Sequence, residues 1–249
     1  MPLPRMYTDL AEWFHLLTAP EEYEEEAAIY ADLLASGTNA PRTVLELGSG
    51  GGNNASHLKA RFEMTLVDLS PPMLELSRGI NPECEHFEGD MRSVRLGRQF
   101  DAVFVHDAIE YMVTAVDLRA TLATAFAHCS PGGIAVFVPD FVRETFEAGM
   151  STGGFDAPDG RAVRYLEWTE PPAPGATSYR ADFAIMIRDA DGSMRVEHDA
   201  HDCGVFALGE WTKWLEEVGF ESVEFQQWVL SDDTKVGTFT ARRGLTYPA

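Results

Sequence analysis

The sequence of 249 residues has few basic side chains, few cysteines and no long hydrophobic run. Its 19 lysines and arginines stand against 40 aspartates and glutamates, which gives a formal net charge of −21. Proteins that bind nucleic acid need clustered basic side chains to neutralise phosphates, so this balance argues against DNA or RNA as a partner. It is compatible with a small and even cationic ligand, although surface acid also simply keeps a protein soluble.

The chain also lacks the marks of a membrane or secreted protein. No apolar run approaches the roughly 18–20 residues of a membrane span, and Met1–Arg5 lacks the apolar core of a signal peptide. The three cysteines, Cys84, Cys129 and Cys203, are far apart and not in metal-site spacing, so we expect free thiols and no bound metal. We therefore predict a cytoplasmic protein without a membrane partner; a homo-oligomer is compatible with the sequence.

The most informative stretch is an apolar β-type run at 43–47 that leads into four glycines within positions 48–52. A helix-like segment follows near 54–61, so the order is strand, glycine-rich loop and helix. Such a loop lets backbone N–H groups approach a ligand because no Cβ atoms stand in the way. Glu46 in the run suits a cationic or hydroxyl-bearing ligand better than a phosphate. Asp68 ends the next apolar run, where a βαβ unit presents a carboxylate to a ribose.

Four elements in residues 40–140 resemble the class I S-adenosylmethionine-dependent methyltransferases. The stretch 46–52, ELGSGGG, is similar to their first motif, and Asp68 is similar to their ribose-binding acid. Gly89-Asp90-Met91 resembles their adenine-edge motif, and Pro131-Gly132-Gly133 resembles the turn before their fifth strand. All four elements follow in the family's order, which favours methyl transfer.

A nucleotide-dependent oxidoreductase is the alternative that the glycine loop itself raises. Gly50, Gly52 and Ala55 fit the pattern GxGxxA of NAD-binding proteins. The acid inside the first motif and the two later motifs favour the methyltransferase over this alternative.

The alternation of apolar runs and helical segments predicts an α/β fold with a Rossmann-like, seven-stranded methyltransferase sheet. Near-continuous apolar strands separated by helices indicate a parallel sheet covered on both faces. Ligands of such sheets bind at the carboxyl ends of the strands, so we expect Glu46, Asp68, Asp90 and the segment 106–112 to converge on one cleft. Strands are predicted at 43–47, 64–68, 85–87, 100–105, 134–138, 220–228 and 235–242, and helices at 54–61, 71–79, 116–128 and 209–218.

The chain is divided into four predicted segments. The third is an antiparallel β insertion that we expect to cover the cleft as a lid, with strands between 163 and 206 and a hairpin turn at Asp191-Gly192. The stretch 149–160, rich in Gly, Asp and Ser, is predicted to be a mobile connection. The segments are an N-terminal helical cap at 1–40, an S-adenosylmethionine-binding core at 41–140, the lid at 141–207, and the completion of the core by a helix and a hairpin at 208–249.

The family resemblance implies a set of residues that hold S-adenosyl-L-methionine. The glycine-loop backbone would pass against its methionine and ribose, Glu46 would contact its ammonium group, and Asp68 would accept from both ribose hydroxyls. Leu69 and Met73 would pack on the adenine, and Asp90 would accept from the adenine amino group. The implied cofactor-binding residues are Glu46, Gly48, Gly50, Gly52, Asp68, Leu69, Met73, Asp90, Met91 and His106.

Beyond the general fold, the chain looks most like amino-sugar N-methyltransferases of antibiotic pathways and related actinobacterial small-molecule methyltransferases. The likeness lies in Met6-Tyr7, in the segment 107–112 (DAIEYM) and in the segment 197–206. It implies that Tyr7 and Tyr111 flank the acceptor and that His201 lines the acceptor side. The sugar enzymes carry histidine at the position of Tyr111. The candidate catalytic residues are Tyr7, Tyr111, His201 and His106.

We therefore predict an S-adenosylmethionine-dependent methyltransferase that N-methylates a small-molecule amine in a secondary-metabolite pathway, mainly through proximity and orientation. One alternative is a small-molecule O-methyltransferase with a histidine base; another is a non-catalytic module that binds a nucleotide cofactor. His198 and His201 are three residues apart on a predicted strand, so we expect them on opposite faces and not as a metal pair.

Overall fold

The computed structural model describes residues 3–37 and 40–245 of the chain. Residues 1, 2, 38, 39 and 246–249 of the first and last predicted segments lie outside the described residues. The strands are β1 (Thr43–Leu47), β2 (Glu63–Asp68), β3 (Glu85–Glu88), β4 (Phe100–His106), β5 (Cys129–Val138), β6 (Gly149–Gly153), β7 (Ala162–Thr169), β8 (Ser178–Arg188), β9 (Met194–Gly204), β10 (Phe220–Val229) and β11 (Lys235–Arg243).

Six α-helices accompany these strands in the described part of the chain. None of them is long and apolar enough to cross a membrane. The helices are α1 (Phe14–Leu17), α2 (Glu24–Ala35), α3 (Asn53–Leu58), α4 (Pro71–Ile80), α5 (Ala115–His128) and α6 (Leu208–Glu217).

Seven strands form one sheet in the order β10-β11-β5-β4-β1-β2-β3, and the other four form a separate antiparallel sheet. In the large sheet β1 to β5 run parallel, while β11 pairs antiparallel with β5 and β10. This confirms the predicted fold class, including the antiparallel last hairpin. The strand order reverses at β1, which pairs with β2 on one side and β4 on the other.

Helices cover both faces of the large sheet, which explains why its central strands are near-continuous apolar runs. Leu45 and Val103 face α5 and α6, whereas their neighbours Val44 and Phe104 face α2 and α3. Side chains alternate between the faces of a strand, so a strand covered on both faces needs apolar residues at every position. The sheet is thereby fixed between two layers of helices.

The N-terminal segment, predicted to be a helical cap over 1–40, is α-helical among its described residues only at α1 and α2. Its first part consists of short 3₁₀ turns at Arg5–Tyr7 and Ala11–Trp13 followed by α1, none of which has a side-chain cap. The apolar residues Met6, Leu10 and Trp13 of this segment pack with Val163, Ile185 and Ile187 of the second sheet. Tertiary packing therefore overrides the helical periodicity here.

The predicted turn at Pro131-Gly132-Gly133 lies within the bounds of β5. Cys129 pairs with Phe100 and Ile134 pairs with Ala102, so the residues between them bulge out of the ladder. A Cβ atom at Gly133 would come within 2.7 Å of the Asp101 carbonyl oxygen. Glycine is therefore required where the bulge passes close to β4.

The second sheet has one more strand than the sequence predicted. β6 lies in the stretch predicted to be a mobile connection, and it pairs with β7 from Gly149 opposite Thr169 to Gly153 opposite Tyr165. The predicted hairpin at Asp191-Gly192 does join β8 to β9, with Gly192 at φ +85°. The division of the chain into four segments stays a prediction.

Replacing Trp211 by alanine tests the α6 side of the core. Its ring is 2% exposed and stacks on Phe239 with centroids 4.9 Å apart. We expect Trp211→Ala to lower the free energy of unfolding by about 3–5 kcal/mol, because the truncation leaves a cavity. Val116, which is 78% exposed, is the control, and Val116→Ala should change that free energy by about 0.5 kcal/mol or less. Equal effects in denaturant titrations would contradict this packing.

Candidate active site

A cavity of about 330 Å³ lies at the carboxyl edge of the large sheet. Glu46, Asp68, Asp90 and the segment from His106 to Met112 all contribute to its wall. The N-terminal turns close it on one side and β7 to β9 of the second sheet on another. The residues that the sequence placed at the strand ends are thus brought together at one cavity.

The glycine loop forms the floor of the cavity in a backbone conformation that other residues rarely adopt. Gly48 has φ +78°, and a Cβ atom there would lie 2.5 Å from Ala108 Cβ and from Met91 Cε. Gly48 therefore satisfies both a left-handed conformation and a close approach. Glycine is thus required where the loop passes against Ala108 and Met91.

Asp68 holds the loop from the end of β2. Its Oδ2 accepts from Gly50 N–H at 2.8 Å, and its Oδ1 accepts from Ser70 N–H at 2.8 Å. Burial raises the pKa of Asp68, against the lowering effect of these two hydrogen bonds. An ionised carboxylate has about four lone-pair sites, so the side chain keeps capacity to accept from a ligand.

Several buried acceptors near the loop have no hydrogen-bond partner among the described residues. Glu46 is 3% exposed and its Oε2 is unpartnered, as are the Oδ1 atoms of Asn53 and Asn54. Burial raises the pKa of Glu46 to about 8. Buried acceptors without partners are costly, so this part of the wall suits a ligand that donates hydrogen bonds, such as an ammonium group. The sequence analysis did not single out the two asparagines as binding residues.

Asp90 lines the cavity but is engaged by a residue that the sequence analysis missed. Arg92 donates through Nε to both carboxylate oxygens of Asp90 at 3.0 Å, and it also pairs with Asp117 at 2.9 Å. These hydrogen bonds hold the pKa of Asp90 below its usual value. An adenine amino group that binds Asp90 would therefore share its carboxylate with the Arg92 guanidinium.

Of the implied cofactor-binding residues, Leu69 and Met91 line the cavity, whereas Met73 and Gly52 are not among its described lining residues. Met73 is fully buried on the inner face of α4, and Gly52 packs against Ser77 of α4 and against Asn81, which follows that helix. Contact of Met73 and Gly52 with the cofactor stays a prediction. Leu69 and Met91 do line the cavity, and Leu69 is 44% exposed as an adenine-packing residue needs to be.

His106 lies at the end of β4 among acidic groups. Its Nδ1 lies 3.0 Å from Asp107 Oδ1, and its Nε2 lies 3.1 Å from the Tyr30 hydroxyl and 3.4 Å from Glu26 Oε1. Burial by itself would lower the pKa of His106, but Asp107 and Glu26 outweigh it and raise the pKa to about 9. A histidine that is already protonated at neutral pH is a poor general base, so a catalytic role for His106 stays a prediction.

The other three candidate catalytic residues form one hydrogen-bonded chain. The Tyr7 and Tyr111 hydroxyls are 2.8 Å apart, and the Tyr111 hydroxyl lies 3.0 Å from His201 Nδ1. His201 Nε2 lies 3.3 Å from Asp199 Oδ2, which the sequence analysis had not linked to the site. His198 is exposed and points to the opposite face of β9, as its odd offset from His201 predicted.

Asp140 is a further acid that the sequence analysis missed. It follows the end of β5 and lines the cavity within hydrogen-bonding reach of Asp107 and Glu110. The rule that found Glu46 and Asp68, namely that ligands bind where parallel strands end, applies equally to β5 and could have found it.

The comparisons with known proteins agree with this geometry. Residues 44–133 match the family model of a methyltransferase domain. Over 207 residues the chain is 31% identical to the dTDP-3-amino-3,4,6-trideoxy-alpha-D-glucopyranose N,N-dimethyltransferase of Streptomyces venezuelae, an alignment that spans 82% of this chain and 86% of that protein. The chain belongs to the S-adenosylmethionine-dependent methyltransferases.

The methyltransferase also has relatives with another kind of acceptor. It is 30% identical over 193 residues to the trans-aconitate 2-methyltransferase of Mycobacterium sp. (strain KMS), an alignment that spans 70% of this chain and 69% of that protein. The family thus includes methylation of an amine and methylation of a polycarboxylate.

Solved structures confirm the fold and the cofactor of the methyltransferase. DesVI from Streptomyces venezuelae superposes with a TM-score of 0.82 at 26% identity over 96% of this chain and 98% of that chain. CalS10, an amino pentose methyltransferase from Micromonospora echinaspora with S-adenosylmethionine bound, gives 0.74 at 26% identity over 89% and 91%. These findings decide for S-adenosyl-L-methionine and against the NAD alternative.

The residues of the cavity fit this cofactor. When bound, S-adenosyl-L-methionine supplies a methyl group activated by its sulfonium. The unpartnered Oε2 of Glu46 suits its ammonium group, and Asp68 has lone pairs for its ribose hydroxyls. We therefore expect Glu46 to bind the ammonium group of the cofactor and Asp68 to bind its ribose hydroxyls.

Asp68→Ala tests the ribose contact. The loss of charged hydrogen bonds should weaken S-adenosyl-L-methionine binding by about 1–3 kcal/mol, measured by calorimetric titration. Glu75 lies on the exposed face of α4 in a surface ion pair, so Glu75→Gln should leave affinity unchanged. Unchanged affinity in Asp68→Ala would remove Asp68 from the site.

Glu46 allows a test by proton release. Because its pKa is about 8 in the free protein, most of the carboxyl is protonated at pH 7, whereas contact with an ammonium favours the ionised form. Cofactor binding at pH 7 should therefore release nearly one proton from Glu46, and affinity should rise as the pH is raised through about 8. Calorimetry in two buffers of different ionisation enthalpy measures this release.

Glu46→Gln is the matched control, since it keeps the shape of the side chain and cannot ionise. Equal proton release by the wild-type protein and by this variant would contradict the assignment of Glu46 to the ammonium.

Proposed function

We propose that this methyltransferase N-methylates an amine on a small, sugar-like acceptor in a secondary-metabolite pathway. The sugar class comes from relatives that are named as amino-sugar N,N-dimethyltransferases and as an amino pentose methyltransferase of calicheamicin biosynthesis. The choice of an amine rests on one observation, the acidic wall on the acceptor side of the cavity.

Three carboxyl groups in mutual contact form this acidic wall. Asp140 lies within hydrogen-bonding reach of Asp107 and Glu110, and the Tyr179 hydroxyl donates to Glu110 at 3.3 Å. Burial and the neighbouring acids raise the pKa of Asp140 and of Glu110. A cationic ammonium relieves repulsion among such groups, so the wall attracts an amine.

The basic groups near the acceptor side do not offset this charge. In the part of the chain that the structure describes, Arg92 is the only lysine or arginine on the cavity wall. Its guanidinium is paired with both Asp90 and Asp117. The protonated His106 also lines the cavity, and it is paired with Asp107 and Glu26. A carboxylate acceptor such as trans-aconitate would therefore meet like charge without a free cation to bind it.

A second cavity of about 940 Å³ shares Tyr23, His106, Asp107 and Asp140 with the first. Among its described lining residues Lys235 is the only lysine or arginine, and it pairs with Glu147 at 3.4 Å. Substituents of the acceptor that extend into this space are expected to be neutral or cationic. The carboxylates that line it are Glu22, Glu26, Asp107, Asp140, Glu144, Glu147, Glu167, Asp232 and Asp233.

Methyl transfer in this site depends mainly on orientation and on the exclusion of water. The N-terminal Tyr7 and the Phe183 and His201 side chains of the second sheet line the part of the cavity that would enclose the acceptor. Placing a nucleophile in line with an activated carbon can supply several kcal/mol of the barrier without any covalent help from the protein. A free amine has its own lone pair, so the demand on acid–base groups is confined to the removal of a proton.

A panel of acceptors with mass-spectrometric detection tests the proposal. Amino sugars, free and nucleotide-linked, should gain one or two methyl groups, whereas trans-aconitate and hydroxyl-only sugars should gain none.

Glu110→Gln should raise the KM for the amine by about tenfold or more, because a nearby opposite charge is lost. Glu170→Gln, at an exposed residue outside both cavities, is the control and should behave as the wild type.

The outcomes of this panel separate the alternatives. Methylation of hydroxyl acceptors and not of amines would replace the proposal with an O-methyltransferase. Tight cofactor binding without turnover of any acceptor would favour a non-catalytic module. Methylation of trans-aconitate would show that the acidic wall does not select the acceptor.

A further inference from the structure

The hydrogen-bonded chain through Tyr7, Tyr111 and His201 ends on a carboxylate that has no contact with the cavity. Asp199 is 6% exposed, and its Oδ2 accepts from Met6 N–H at 3.0 Å as well as facing His201 Nε2 at 3.3 Å. Burial by itself would raise the pKa of Asp199, but the hydrogen bonds from His201 and Met6 outweigh it and hold the pKa below its usual value. Asp199 is therefore ionised and can only accept.

The Asp199 carboxylate determines which group donates and which accepts in each hydrogen bond from Tyr7 to His201. Because Asp199 only accepts, His201 Nε2 carries a proton and donates to it, which leaves Nδ1 of the neutral ring as an acceptor. Tyr111 then donates to Nδ1, and Tyr7 donates to Tyr111. Burial raises the pKa of both tyrosines well above 10, so both hydroxyls stay protonated at neutral pH.

We infer that Tyr7, Tyr111 and His201 form a proton relay that deprotonates the acceptor ammonium, with Asp199 as the residue that orients His201. The inference rests on the proposed function, since an amine reaches the acidic wall as an ammonium and must lose a proton before its nitrogen can attack. Tyr7 and Tyr111 line the cavity, so the relay begins where one of their hydroxyls would accept a proton from the acceptor ammonium. Asp199 acts through His201 and is a positioning residue.

The relay conserves protons and charge. One proton leaves the ammonium for a tyrosine oxygen, and each proton along the chain moves one place toward His201. The acceptor becomes a neutral amine, both tyrosines end as neutral hydroxyls, and His201 becomes an imidazolium beside the Asp199 carboxylate. Histidine is suited to this change because its ordinary pKa lies near neutral pH.

The surroundings of His201 are compatible with this role. Phe183 packs on its ring with centroids 4.6 Å apart and keeps it buried. The titratable groups that face it from its own strand and from the elements packed against it are Asp199, Cys203, Glu110, Tyr111 and Tyr7. Burial raises the pKa of the Cys203 thiol, which keeps that group neutral. Asp199 is therefore the group that accepts from His201 Nε2.

The first experiment needs no acceptor. In ¹⁵N-detected NMR of the free protein at neutral pH, the proton of the His201 ring should sit on Nε2. In Asp199→Asn the two tautomers should mix, because an amide can donate as well as accept. A ring proton on Nδ1 in the wild-type protein would reverse the direction of the chain and overturn the relay. Failure of the proposed function would leave this result unchanged, so the two failures are distinguishable.

The second experiment follows kcat and KM of the amine reaction between pH 6 and 9.5. His201→Gln should lower kcat by about 100-fold with little change in KM, in the range typical of lost acid–base catalysis. It should also remove the acidic limb of the kcat profile. Asp199→Asn should lower kcat by about tenfold with little change in KM, because the His201 ring is no longer held in the tautomer that accepts from Tyr111.

Two further variants complete the design. Tyr111→Phe removes a single oxygen and should match the loss in His201→Gln, which keeps the test usable if an Asp199 or His201 variant fails to fold. His198→Gln lies on the exposed face of the same strand and is the matched control, with wild-type kcat and pH profile. Wild-type kcat and acidic limb in folded His201→Gln and Tyr111→Phe would overturn the relay.

Discussion

The parallel pairing of β1 with β2 and β4 is the constraint on which the whole site depends. In this register Glu46 lies beside Leu66 and Phe104 in neighbouring strands, so three strand ends meet at one edge. The strand order reverses at β1, and the segments that follow β1 and β4 diverge there to leave a crevice. The glycine loop, Asp68 and His106 line one cavity because the strands that carry them end at the same edge of the sheet.

The acceptor side depends on a second junction, at Met6 and Tyr7. The Ser70 hydroxyl donates to the Tyr7 carbonyl at 2.5 Å, and Met6 N–H donates to Asp199 at 3.0 Å. The N-terminal turns are thereby attached to the core and to β9 at adjacent residues. The carboxylate that anchors the turns is also the one that orients His201, so the same residue closes the cavity and aligns the hydrogen-bonded chain.

The positions of a few carboxylates say more about the ligand than the net charge of the protein does. A net charge of −21 by itself is compatible with plain solubility, and it excludes only partners that need a basic surface. The structure places Asp107, Glu110 and Asp140 together on the acceptor side, where repulsion among them is relieved by a cation. In the proposed function, selection of an amine over a polycarboxylate would depend on where a few carboxylates lie and not on total charge.

The sequence by itself determined the sheet, the glycine loop and the acids at the strand ends, because periodicity and loop chemistry are local. β1 at Thr43–Leu47 has the bounds that its apolar run predicts. Only the tertiary structure decided the N-terminal turns, strand β6, the engagement of Asp90 by Arg92 and the contact of Asp199 with Met6. The last joins residues 193 positions apart, and no local pattern encodes a hydrogen bond between segments that meet only when the second sheet packs on the N-terminus.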